Sequence, residues 1–306
     1  MKNFIKAGFI LLFTFLYINQ TFAADLYWIA SSTSNWNNTN NWSTTSGGAG
    51  GAGVPGAGDI AYFDNNGLGG CNLDLNISIA GVQILAGYTG TITQGSFSIN
   101  IGISNFTQAD GTFQGGLNSI TLNSSFTISG GNFVSTSNGF TISGNFTHSG
   151  GTIDANNGLL TFNGGGARTY DVVSPAPMWH QVAISMGNDK TMTIQANDTL
   201  LVANQLICNN GKLNDNFVAL QGDCQINNGW DNGSSTLVFT GSTNANLNLN
   251  ADTWEGNNII IHKDGSTQTV TVQDIDGDNA ISLGANANNL VVREGILVSS
   301  QNLVNL

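Results

Sequence analysis

Three acids at alternate positions, Asp274-Ile-Asp276-Gly-Asp278, form the stretch best suited to ligating a hard cation. Carboxylates spaced this way can converge on Ca2+. The segment is not an EF-hand, because Asn279 stands where that loop places its glycine and Ala285 where it places its bidentate acid. The competing reading is a solvated turn, and no cofactor other than weakly held Ca2+ is indicated. Trp28, Trp36 and Trp42, half of the six tryptophans, are the second candidate. Exposed, their rings would offer a carbohydrate a stacking platform; buried, they would seal the first coil of a repeat array, which is the preferred reading. Cys71, Cys208 and Cys224 are odd in number, lack metal-ligand spacing and form no nucleophile-and-base pattern with His148, His180 and His262. Cys208 and Cys224 could meet as a disulfide across neighbouring coils if one turn is short; otherwise all three read as small buried hydrophobes.

What must position these groups is a repeat. Residues 105–164 divide into three consecutive twenties. Phe106, Phe126 and Phe146 share one column, Thr107, Thr127 and Thr147 the next, and Gly111, Gly131 and Gly151 a third. Ile120, Phe140 and Leu160 align in the same way, as do Leu122, Ile142 and Phe162. Alternation through Phe140-Thr-Ile-Ser-Gly-Asn-Phe-Thr-His148 describes a strand with one buried face. Small residues in mid-face, Ser124 and Gly144, predict a bend, and the glycine column predicts a corner with positive φ. One such unit cannot bury its apolar face alone, so units stack and pair strand to strand. Parallel connections of this kind are right-handed. The expected fold class is therefore all-β: a right-handed parallel β-helix (β-solenoid) with about 20-residue coils and an N-terminal Trp-rich cap. The L-x-x-L-x-L spacing of leucine-rich repeats is missing, and twenty residues are too few for a β-sandwich.

In chain order, residues 1–23 read as a signal peptide: Lys2 and Lys6, an apolar run from Ala7 to Ile18, and small residues around Ala23-Ala24. Residues 24–68 are the expected cap and 69–306 the β-helix repeats. A longer period is expected over 160–236 and 237–306, with Leu160-Thr-Phe-Asn-Gly164 recurring as Leu237-Val-Phe-Thr-Gly241 and Trp179 as Trp254. The second copy stops short, so a C-terminal continuation of the same solenoid is expected. Once the signal is removed, five basic residues face nineteen acids, a net of −14. Nucleic acid and anionic membrane call for basic patches, so neither is an expected partner, and no membrane insertion is expected after cleavage.

The opening Tyr27-Trp28, Asn35-Trp36 and Asn41-Trp42-Ser43, then Val54-Pro-Gly-Ala-Gly-Asp59 and Phe63-Asp64, lead into coils such as Phe146-Thr-His-Ser-Gly-Gly-Thr152 and Leu160-Thr-Phe-Asn-Gly164. The pattern resembles secreted, autotransporter-passenger-like β-helix repeat proteins, common among adhesins exported by the type IX system. The resemblance covers nearly the whole mature chain. It implies a long extracellular or surface-attached rod, often ending in a C-terminal sorting domain that this sequence does not include, and it transfers no active site.

Parallel β-helices also include pectate-lyase-like and polygalacturonase-like enzymes, which use clustered carboxylates with Arg or Lys nearby. No adjacent Asp-Asp occurs here, and Arg168 and Arg293 lie in no acid-rich stretch. The Thr-x-Thr segments at 91–93, 191–193 and 269–271 do not share one twenty-residue ladder, which argues against an ice- or mineral-binding array. The expected function is a non-enzymatic extracellular structural or adhesive β-solenoid, the shaft of a cell-surface or secreted adhesin whose partners are surface glycans or other cell-surface proteins. The alternative is a carbohydrate-binding or polysaccharide-cleaving β-helix. If Asp274, Asp276 and Asp278 hold Ca2+, millimolar calcium raises the melting temperature; a titration that leaves it unchanged removes the site.

Overall fold

The computed structural model describes residues 23–231, 233–250, 254, 258–274 and 289–299. It is a β-solenoid of about 10 turns. Each coil carries up to three short strands, on a first, second and third face in chain order, and, Trp42–Ser43 excepted, these strands pair in parallel with their counterparts one coil away. Strands that run around a corner, such as Phe126–Val134 and Thr199–Asn210, join the faces into hydrogen-bonded sheets of 14 and 15 strands. Among the described residues the one helical element is the 3-10 turn Thr39–Asn41.

The twenty-residue columns stack as their types require. Phe106 lies opposite Phe126 and Phe126 opposite Phe146, with Thr107, Thr127 and Thr147 beside them. Inside, the rings of Phe106, Phe126, Phe146 and Tyr170 stack in sequence at 5.4, 5.3 and 5.0 Å. The third face extends the rule far beyond 105–164. One of its inward columns runs Ile77, Ile99, Ile120, Phe140, Leu160, Val182, Leu206, Cys224, Leu247 and Val272. All ten are buried.

The bends fall where small residues foretell them. Gly144 sits over Ser124, its N–H donating to the Ser124 carbonyl at 2.9 Å. Gly131 takes φ +74° at the next corner, and a Cβ there would lie 2.4 Å from the Gly111 carbonyl oxygen. Both the dihedral and the space require glycine at that corner.

One expectation is refined and two change. Coils average about 22 residues, because only the central three keep the strict twenty; the step is 18 from Leu206 to Cys224 and 25 from Leu247 to Val272. Stacking also begins well before residue 69, since Asp25–Trp28 already pairs in parallel with Ile60–Phe63, which pairs with Gly81–Ile84. A long excursion from Ser43 to Asp59 hides that period in the sequence. Finally, the segments matched in the longer period stack on different columns. Leu160 continues to Val182 on the third face, whereas Leu237 lies between Val218 and Ile259 on the second. Alternating strands with equivalent inward residues look alike wherever they sit on the coil, so sequence similarity alone does not assign a face.

Phe126→Ala should lower unfolding stability by about 3–5 kcal/mol, while the outward neighbour Thr127→Ala should change it by less than about 1 kcal/mol. Urea denaturation of both variants checks the inside–outside assignment, and similar losses would contradict it.

Candidate functional site

The core of the first coils offers no ligand room. The space among Trp36, Phe63, Ile92, Phe113 and Phe126 amounts to about 10 Å³, no more than one water's worth.

The tryptophan platform is not there. Trp28, Trp36 and Trp42 are at most 1% exposed and pack edge to face, Trp28 on Trp42 at 5.2 Å and Trp36 on Trp42 at 4.7 Å, around Phe63. Their polar atoms are engaged internally: Trp28 Nε1 donates to the Gly69 carbonyl at 2.9 Å and Trp42 Nε1 to the Trp36 carbonyl at 2.8 Å. Trp42 is held by the one antiparallel pairing among the described residues, Asp25–Trp28 with Trp42–Ser43. Three large rings with only one neighbouring coil gain most by burying against each other, and sugar stacking at these residues is corrected accordingly.

An aromatic pair does face outward, and sequence reasoning passed over it. Tyr27 and Tyr62 are half-buried on adjacent rungs of the first face, their rings stacked at 4.9 Å and 17°. The alternation of Leu26 and Trp28 around Tyr27, and of Ala61 and Phe63 around Tyr62, was the available signal. Burial, and then the Asp25 carboxylate hydrogen-bonded to it, push the Tyr62 phenol above its ordinary pKa. The outward column continues through Gln83, Thr107, Thr127 and Thr147 to Asp171. Thr107 Oγ1 donates to Gln83 Oε1, and Gln83 Nε2 donates to the Ser104 carbonyl at 3.1 Å. This strip combines ring edges, a carboxylate, an amide and hydroxyls on regularly spaced rungs.

Later coils differ on their second face. Met178, Leu201, Ala219, Val238, Ile260 and Val291 form an apolar outward column. Beside it an open groove of about 270 Å³ lies between Val173 and Leu201, with Asp198 in its lining. Asp198 accepts the Val172 N–H at 3.0 Å; burial, aided by nearby Asp171, outweighs that bond and raises its pKa.

The remaining candidates scatter. Asp276 and Asp278 lie outside the described residues, and Asp274 ends the strand Thr269–Asp274 opposite Leu249. Among the described residues no three His, Cys, Asp or Glu side chains gather as a metal would require. Cys208 and Cys224 occupy adjacent coils, yet the register sets Cys208 opposite Ile226 and Leu206 opposite Cys224. They are diagonal rather than opposite neighbours; the two inward thiols interact with each other without a disulfide, and all three cysteines are free and buried. His148 is buried with Nε2 against the Gly151 carbonyl at 3.2 Å, half-buried His180 and exposed His262 lie elsewhere, and Arg168 Nε donates to the Ser143 carbonyl at 2.6 Å. Lys263 is 1% exposed, its ammonium donating to the carbonyls of Gln221 and Thr240 in the two preceding coils. Nothing in its sequence surroundings marks it as buried. No helix of the described residues is long and apolar enough to cross a membrane. No family model, curated protein or solved structure matches the chain.

Burial raises the Cys71 and Cys208 thiols and the Tyr62, Tyr88 and Tyr170 phenols above their ordinary values. Each keeps its proton in the fold and releases it in the unfolded chain at ordinary alkaline pH. Their stabilisation is therefore whole below the unfolded thiol pKa of about 8.5 and declines as pH rises beyond it. Lys263, lowered by burial, acts in the opposite sense, gaining stability as pH approaches about 10.4. Five groups outweigh one, so the melting temperature should hold to about pH 8 and fall above about pH 9. Thermal melts across that range test this, and a steady rise would contradict it.

Proposed function

We propose that this chain is the shaft of an exported, surface-associated adhesive protein that acts without catalysis. The observation that carries the reading is the outward strip of the first face. Tyr27, Tyr62, Gln83 and Thr107 offer ring, amide and hydroxyl groups on rungs spaced about 4.8 Å apart. A rod that displays neutral hydrogen-bonding groups at a fixed interval suits weak, repeated contact with extended ligands. Surface glycans and other cell-surface proteins are the expected partners. The extracellular assignment rests on the charge and apolar pattern of residues 1–23, most of which lie outside the described residues. The resemblance to autotransporter-like and type IX-exported adhesins supports the same picture from the coil motifs.

Carbohydrate binding with cleavage is the second reading, favoured by the position of Asp25 beside the Tyr27–Tyr62 pair. The two separate on incubation with acidic and neutral polysaccharides. Retention without new reducing or unsaturated ends is expected; new ends would establish an enzyme. An aromatic contact contributes about 0.5–1.5 kcal/mol beyond its area, so Tyr62→Ala should weaken retention roughly three- to tenfold. Retention unchanged in that variant would move the binding face elsewhere.

A further inference from the structure

We infer that cleavage after Ala23 places the new α-ammonium group of Ala24 in a carboxylate site already formed by Asp59, and that the resulting ion pair pins the first strand to the second coil. This rests on the export reading, because it requires removal of residues 1–23. In the cleavage, the hydroxyl of water adds to the Ala23 carbonyl carbon, the Ala23–Ala24 C–N bond breaks, and the nitrogen of Ala24 leaves carrying the proton.

The geometry is specific to that nitrogen. Ala24 N lies 2.8 Å from Asp59 Oδ1. The other oxygen, Oδ2, accepts the Gly56 N–H at 2.8 Å, and the Asp59 N–H returns to the Gly56 carbonyl at 2.9 Å, so the carboxylate is oriented by its own loop. On its other side Ala24 accepts the Ile60 N–H at 3.0 Å, the bond next to the Asp25–Ile60 pairing. Ala24 is half-buried against the core while Ala23 is exposed, so the scissile bond joins an exposed residue to one packed on the solenoid.

Charge makes the assignment stronger. No Lys or Arg occurs between Ala24 and Arg168, while Asp25, Asp59, Asp64 and Asp74 do. The α-ammonium is thus the cation that the first coils can bring to Asp59. Before cleavage the contact is an ordinary amide–carboxylate bond. Afterwards both partners are charged, which shortens and strengthens such bonds. Processing would therefore tighten the end of the array where the tryptophans are packed.

The first measurement is the N-terminal residue of the native exported protein, expected to be Ala24. Another start near it would overturn the inference and leave export standing; a start at Met1 would overturn both. The second compares the mature chain with the same chain α-N-acetylated by semisynthesis, each with and without Asp59→Asn. Asparagine keeps an acceptor for the Ala24 nitrogen but removes the charge. The substitution should lower the melting temperature of the free-amine chain by about 2–4 °C more than that of the acetylated chain, and equal losses would overturn the ion pair. Should the variants fail to fold, acylation of the α-amine at pH 7 decides: severalfold slower in the native chain than in urea supports the pair, and equal rates overturn it.

Discussion

Apart from the antiparallel pairing of Asp25–Trp28 with Trp42–Ser43 at the first coil, a described coil of this solenoid has no hydrogen-bonding partner for its strands within itself. The N–H and C=O groups of a parallel strand point along the stack, so each coil is satisfied only by the coils above and below. That constraint fixes register rung by rung. A slip of one residue would turn every inward Phe, Ile or Leu outward. Phe126 thus sits between Phe106 and Phe146 because the pairing that satisfies the backbone also superimposes like side chains. The aromatic stack at 5.0–5.4 Å is the packing consequence of that pairing.

Corners are where the constraint is hardest to meet, since the chain turns and its carbonyls lose their alignment. The protein answers with a different group at each place. Gln108 Nε2 donates to the carbonyls of Gly111 and Asn132, and His148 occupies the equivalent position two coils later with its ring against Gly151. Lys263 performs this task with an ammonium, joining its own coil to the carbonyls of Gln221 and Thr240. A buried lysine carries a desolvation cost, visible in its lowered pKa, and the two carbonyl acceptors and the neighbouring Asp264 carboxylate offset part of it. On the third face the chain of amides Asn209, Asn227 and Asn250 does the same job sideways, each passing a hydrogen bond to the coil before it.

The fold was legible because stacking writes itself into sequence as a column. Five aligned columns over 105–164 specified strand faces and the Gly131 corner, and small residues in mid-face specified the bend at Ser124 and Gly144. Legibility failed where a residue's type does not reveal its direction. Trp28, Trp36 and Trp42 read as cap in preference to surface, but residue type left the platform open, and their packing around Phe63 decides for the cap. Leu160-Thr-Phe and Leu237-Val-Phe share a pattern but occupy different faces, since period two is common to all faces. Tyr27 and Tyr62 belong to separate coils of unequal length, so no fixed offset joins them. Lys263 is buried by its neighbours in other coils, which local sequence does not encode.

Stacking also accounts for the chain's composition. A charge placed on an outward column meets its equivalent on the next rung about 4.8 Å away, and two like charges at that distance repel by about 1 kcal/mol even in water. Repeated over several coils, the penalty would rival the total stability of a domain. Threonine, asparagine and serine fill the columns without it, and charged residues make up only 8% of the chain. Among the described residues the salt bridge is Lys212 to Asp189, which joins a strand to a loop rather than successive rungs of one column. The outer surface is consequently sparse in charge with an acidic balance, regular, and rich in hydroxyl and amide groups. A binding role for it must then rest on many weak contacts with an extended partner, because the constraint that stabilises the rod excludes dense charge from its faces.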